Sequence, residues 1–270
     1  MSEGNERQPD EGATGLRNEP PTRDMFLGGK VTLLQPGGRQ HRSGLDAVML
    51  AASLPEDAMG RVVDLGAGAG AAGMCAAARL AQVSVTLVER ELELVALSRQ
   101  SLALCENEAF SSRVEAIEAD VTARGPARKA QGLLPGMADH VIMNPPYYDT
   151  RHRASPDRSR ASAHVLAEGG LDPWLRTASD LLISGGSLTL IFRADGLADV
   201  LEAMPGRFGD IHVFPLFPRE GADANRILVR GIRGSRAGMK LRRGLVLHND
   251  DKSFTPPVEA ALRDGAGISL

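Results

Sequence analysis

Cysteine is almost absent from this chain. Only Cys75 and Cys105 occur in 270 residues, and neither belongs to a C-x-x-C pair. That argues against a disulfide framework and leads us to expect two buried free thiols in a reducing compartment. The six histidines (His41, His140, His152, His164, His212 and His248) lack metal-ligand spacing, and neither a P-loop nor a G-x-S-x-G elbow is present. No metal is therefore expected. No apolar run approaches the roughly 20 residues needed to span a bilayer. The opening MSEGNERQPDEGATGLRNEPPTR lacks the apolar centre of a signal peptide. The expectation is a cytoplasmic protein without membrane contact. Residues 1–23 read as a disordered tail, and 24–270 as a single domain with small N- and C-terminal additions.

What is present is ordinary in bulk and specific in order. A chain 43% hydrophobic and 24% charged suits a soluble globular protein. From residue 60, strand-like and helix-like segments alternate. RVVDL (61–65), VSVTLVE (83–89), RVEAIEAD (113–120), HVIMN (140–144) and GGSLTLIFR (185–193) read as strands. AAGMCAAARLA (71–81), ELELVALSRQSLALC (91–105) and PWLRTASDLLIS (173–184) read as helices. DIHVFPLFP (210–218) and NRILVRGIR (225–233) then follow with no helix between them, as a hairpin would. The pattern predicts an α/β fold: a doubly wound, mostly parallel, seven-stranded sheet with an antiparallel C-terminal hairpin strand.

Asp64-Leu65-Gly66-Ala67-Gly68-Ala69-Gly70 closes the first of these strands. Glycines allow positive φ and close approach of a ligand, and the next helix offers free amides. The same stretch also satisfies G-x-G-x-x-G through Gly68, Gly70 and Gly73, with Glu89 about 20 residues on, as in a nicotinamide-dependent oxidoreductase. Two features count against that alternative. Gly66 and Ala67 separate the strand from the fingerprint, and Asp64 would set a carboxylate near a pyrophosphate. A ligand with a cationic amino-acid part would instead welcome that carboxylate. Asp64, Glu89 and Asp120 end the first three strands, so all three are expected to face the crevice at the strand C-termini. Glu89 suits a ribose diol and Asp120 an adenine amino group. Arg90, Val121 and Asn144 complete the candidate cofactor set with Gly66, Gly68 and Gly70.

Asn144-Pro145-Pro146-Tyr147 ends the fourth strand on the same edge. DLGAGAG, LVE, EAD and NPPY in this order resemble the class I S-adenosylmethionine-dependent methyltransferases, in particular the amino-methylating group. A Rossmann-like methyltransferase fold with S-adenosylmethionine as cofactor is what that resemblance implies. An exocyclic amino nitrogen is a poor nucleophile because its lone pair is delocalised. Acceptors for both of its N–H groups would orient the lone pair toward the methyl. Asn144 Oδ1 is one acceptor and the Pro145 carbonyl a second, since proline has no competing N–H. Pro146 would stiffen the corner, and Tyr147 would offer a stacking face.

Two basic stretches bear on the substrate. RHRASPDRSR (151–160) holds four arginines and one aspartate, and 219–244 has eight Lys or Arg against two acids; such runs suit phosphates. FLGGKVTLLQPGGRQHRSGLDAVMLAASLP (26–55), the pair Tyr147-Tyr148 and the tail 241–262 resemble bacterial enzymes that methylate the 6-amino group of adenine 37 in a valine tRNA. The resemblance implies an RNA partner, tRNA, with Tyr148, Arg151, Arg153 and Arg160 as substrate-binding candidates. Methylation of a protein glutamine amide or a small molecule is the alternative. Oligomeric state is not legible.

Overall fold

A computed structural model describes residues 20–37, 44–146 and 170–270. A hairpin of β1 (Thr22–Phe26) and β2 (Val31–Gln35) comes first. The central sheet follows with β3 (Gly60–Leu65), β4 (Val83–Glu89), β5 (Val114–Glu118), β6 (Ala138–Met143) and β7 (Leu182–Arg193). It continues through β8 (Phe208–Phe217), β9 (Arg226–Arg233), β10 (Lys240–Leu241) and β11 (Leu245–Val246). The spatial order is β10-β8-β9-β7-β6-β3-β4-β5, with β11 also on β8. Only β9 runs against its neighbours, β7 and β8; every other pairing in the sheet is parallel.

The sheet has nine strands rather than the expected seven. The seven read from sequence are β3 to β9, and two-residue strands from the tail lengthen the far edge. Each is too short to show a period-two pattern. Strand β1 opens at Thr22, inside the stretch read as a tail. One thiol expectation also fails: Cys75 is buried but Cys105 is exposed, because the helix Leu92–Leu102 ends before it.

Alternation along each strand divides the core between two faces. Val62, Val85, Leu87 and Ile142 pack under the helices Leu45–Ala52, Ala71–Arg79 and Pro256–Asp264. Val63, Leu65, Val88, Val141 and Met143 pack under Asp172–Leu181 and Leu197–Ala203. Both faces of every central strand are covered, which is why those strands read as near-continuous apolar runs.

The segment 125–137 forms a short helix, Gly125–Ala130, that delivers a buried arginine. Arg128 is 5% exposed; it donates to Thr177 Oγ1 at 2.6 Å and pairs with Asp180. Thr177 in turn donates to the Val121 carbonyl at 2.6 Å. This chain of bonds ties the loop after β5 to the helix Asp172–Leu181. Arg128→Met would leave Asp180 unpaired, though half-exposed, and one bond of Thr177 unmade. We expect a loss of roughly 2 kcal/mol in urea unfolding, below the cost of breaking a fully buried pair. An unchanged midpoint would show that the loop is held by other contacts.

Candidate active site

Strand order reverses at β3: the chain proceeds outward through β4 and β5 on one side, and through β6 and β7 on the other. In open α/β sheets the ligand crevice lies at this switch point, outside the strand C-termini. Register places the candidates there. Leu65 is level with Val88 on one side and Met143 on the other, so the residues that follow, Glu89 and Asn144, flank Gly66. Asp120 stands two residues beyond Glu118, the partner of Glu89. Glycine loop, acids and Asn-Pro-Pro corner therefore form one crescent.

The glycines of the loop do different work. Gly66 has φ +70°, and a Cβ there would sit 2.6 Å from the Trp174 ring. Its amide and that of Ala67 both donate to the Val88 carbonyl at 2.9 Å. Gly70, at φ +96°, and Gly73 would drive a Cβ into Leu87, Gly73 to within 2.2 Å. These three serve the protein's own packing. Gly68 differs: it has positive φ, yet a Cβ would meet nothing within 4 Å. The backbone is bare at the one position facing open space, where a bound molecule can approach most closely.

Asp64 departs from its expected orientation. Alternation sends it, with Val62, toward the helix Ala71–Arg79, where it is 2% exposed and accepts from the Gly73 amide at 2.8 Å. It clamps the loop to the helix from below rather than opening onto the crevice. Burial pushes its carboxyl up to about 7, against the opposing pull of the Gly73 bond and with a smaller push from Glu89.

Glu89 and Asp120 bind backbone or neighbouring groups through identifiable atoms. Glu89 Oε2 accepts from Gly68 N at 2.9 Å, and Oε1 from Arg90 N at 2.8 Å and Glu91 N at 3.0 Å. The carboxylate is thus oriented beside Gly68, with Oε1 accepting twice and Oε2 keeping capacity for one more donor. Asp120 Oδ1 accepts from Thr122 N at 2.8 Å and Thr122 Oγ1 at 2.7 Å, with no donor to Oδ2 among the described residues. Val121 is 5% exposed. Arg90 pairs through Nε with Glu91 at 3.1 Å.

At the corner, Pro145 is buried and Asn144 partly so. Asn144 Oδ1 is shut off from solvent with no hydrogen-bond partner among the described residues. Buried acceptors are normally satisfied, so an orphan at the switch-point crevice stands out from the rest of the fold. Trp174 Nε1 is a second orphan, and its ring roofs Gly66. The sequence reading missed Trp174; its place, one residue after the helix-opening Pro173, resembles ordinary core. Tyr147, Tyr148, Arg151, Arg153 and Arg160 lie outside the described residues. The bare backbone at Gly68 and the oriented carboxylates of Glu89 and Asp120 fit the donor and acceptor needs of S-adenosylmethionine. The described residues hold no group of three or more metal-ligating side chains.

The Asp64 carboxyl has a consequence for stability. Its folded pKa lies above the unfolded value, so its stabilising contribution is full below about pH 4 and is lost as pH rises to about 7. The loss is roughly 4 kcal/mol at most. Asp64→Asn in the ligand-free protein is expected to flatten stability between pH 4 and 7 in denaturant titrations. A variant that kept the wild-type slope would show that another group titrates.

The methyltransferase small domain family matches residues 41–214. A solved structure named as a predicted O-methyltransferase from Agrobacterium tumefaciens is 42% identical with a TM-score of 0.73, covering 83% of this chain and 99% of that one. A tRNA1(Val) (adenine(37)-N6)-methyltransferase from Shewanella sp. strain MR-4 is 30% identical over 153 residues, which are 57% of this chain and 61% of that relative, under two thirds of its length. The Aeromonas hydrophila protein of the same name is 27% identical over 219 residues, 78% of this chain and 84% of that one. The family match takes in the glycine loop, all three acids and the Asn-Pro-Pro corner, and the chain belongs to the methyltransferase small domain family.

Proposed function

We propose that this protein is an S-adenosylmethionine-dependent N-methyltransferase acting on the exocyclic amino group of adenine in tRNA, in the cytoplasm. Residues from about 24 to 270 would act as one catalytic unit. The observation that carries the reading is the buried, unpartnered Asn144 Oδ1 beside the glycine loop. The tRNA1(Val) adenine-methylating relatives support the substrate. Among the described residues no helix is long and apolar enough to cross a membrane.

S-adenosylmethionine, when bound, supplies a methyl group made electrophilic by its sulfonium. The chain's own residues bind and orient. Glu89 would hold the ribose diol, Asp120 would accept from the adenine amino group of the cofactor, and Arg90 and Val121 would flank them. The bare backbone at Gly68 lets the cofactor lie against the loop, and Gly66 and Gly70 set its course. Asp64 keeps the loop on its helix.

At the corner, Asn144 Oδ1 and the Pro145 carbonyl accept the two N–H bonds of the target amino group. The lone pair is thereby turned out of conjugation and along the line of transfer. Pro145 and Pro146 prevent the acceptors from relaxing toward other donors, so the geometry is set before substrate arrives. Tyr147 stacks on the flipped base, a contact worth about 1–3 kcal/mol, since a base in a stacked helix must leave its stack to be reached. Tyr148, Arg151, Arg153 and Arg160 extend the substrate contacts. Two acceptors suit a nucleophile with two protons to orient; a hydroxyl offers one. That favours nitrogen over the oxygen named for the Agrobacterium relative.

The test is methyl transfer from labelled S-adenosylmethionine to unmodified tRNA, followed by digestion to nucleosides. Label is expected in N(6)-methyladenosine. Asn144→Ala should lower kcat by two orders of magnitude or so, on the scale of losing one preorganised polar contact, with cofactor binding intact. Label in protein or in another nucleoside would sink the adenine assignment.

A further inference from the structure

The long basic run 219–244 divides once folded. Arg226 pairs with Asp46 at 3.0 Å, and Arg233 donates to the Leu182 carbonyl. Arg230 is half-buried, and that burial holds its guanidinium below its ordinary pKa. These three, all on β9, belong to the sheet's interior order. Apart from Arg219, in the connection between β8 and β9, the remainder of the run follows β9 on the outer edge. Residues 236–243, RAGMKLRR, contain four cations and no acid. All four are exposed. Lys240 is bound to Asp210 at 2.8 Å. Arg236, Arg242 and Arg243 have no carboxylate partner among the described residues.

Arg242 and Arg243 are also built into a concavity. With Leu241, Gly244, Leu245 and Phe214 they line a cavity of about 580 Å³, whose other side is lined by residues 267–269. Gly244 has φ +80°, and a Cβ would lie 2.3 Å from the Pro215 carbonyl. The chain can therefore bend here only with glycine, and the bend sits directly after the two arginines. The Arg242 amide is anchored to the Val213 carbonyl at 2.8 Å, and Leu247 N to Phe217 O at 2.8 Å. Guanidinium groups are thus presented from a fixed backbone rather than from a loose tail.

Direction matters as much as charge. Strands β10 and β11 run parallel to β8, and β8 runs parallel to β7 and β6 by two antiparallel steps through β9. Passage from Lys240 to Val246 therefore climbs toward the edge that holds Asn144. Four inter-strand steps separate β10 from β6, a lateral distance of about 19 Å. At a rise of about 3.4 Å per stacked nucleotide, that is roughly six nucleotides.

We infer that Arg242 and Arg243 form a phosphate-binding subsite for the RNA backbone, remote from the methylated base and engaging the helical stem that flanks it. The inference rests on the tRNA reading above. A lysine on a sheet edge commonly serves only to block edge-to-edge pairing. Paired arginines in a concavity exceed that need, because the guanidinium fork suits phosphate oxygens.

The test is binding of fluorescent, unmodified tRNA over a series of salt concentrations, for wild type, Arg242→Ala/Arg243→Ala and Arg242→Lys/Arg243→Lys. The alanine pair should weaken binding about tenfold and reduce the log–log salt slope by about two, while the lysine pair keeps most of the slope. Binding of S-adenosylmethionine should be the same in all three, which reports an intact fold. An alanine variant with wild-type affinity and slope would overturn the subsite. So would loss of affinity for anionic phospholipid vesicles with tRNA binding unchanged, which would assign the ridge to a membrane surface. Failure of the reaction is separable: wild type that binds tRNA with the expected slope but makes no N(6)-methyladenosine would retain the subsite and lose the adenine assignment. Wild type that does not bind tRNA would lose both.

Discussion

A buried hydrogen bond, from the Gly73 amide to Asp64, holds the site in register. It joins the end of the central strand to the first turn of the next helix, and the glycine loop is the chain between those two fixed points. Glycine at 73 allows the helix to lie against Leu87 and Val85 closely enough for the bond to form. Glycine at 66 lets Trp174 close the loop from the opposite face. With both faces gripped, the backbone at Gly68 is exposed in one conformation, and Glu89 is drawn beside it by the Gly68 amide.

The corner follows from the neighbouring strand. β6 lies directly against β3, so whatever terminates β6 stands beside the glycine loop. Two prolines there do what no other residue type can. They end the ladder without leaving unmet N–H groups, and they hold the Asn144 side chain where no donor of the described residues reaches it. An unmet buried acceptor is costly. On the proposed reading the substrate brings the missing N–H, and a corner that satisfied itself would have to be pulled apart at each turnover.

The far edge of the sheet shows how one basic run can serve two ends. Its β9 arginines lie between two neighbouring strands and find acids and carbonyls there. Those beyond the last turn have only solvent on one side. The antiparallel insertion of β9 between β7 and β8 separates the two groups, and that insertion also turns β8, β10 and β11 to point toward the catalytic edge.

Much of this was legible before folding. The order of strands and helices, the glycine loop, the acids at strand ends and the Asn-Pro-Pro corner are written in local patterns: period-two runs, an alanine-rich helix and residues that permit or forbid particular φ angles. These depend on near neighbours in sequence. The direction of Asp64 was not legible, because which face of a central strand meets which helix is decided by packing. Nor was the role of Trp174, which reaches Gly66 across 108 positions of chain, or that of Arg128, whose partners come from a distant helix. β10 and β11 have too few residues to carry a period and exist as strands only because β8 offers them an edge. The sequence by itself determined what kinds of group end each strand; the tertiary structure decided which of those groups face a ligand and which hold the protein together, because burial and the choice of partner belong to the whole fold.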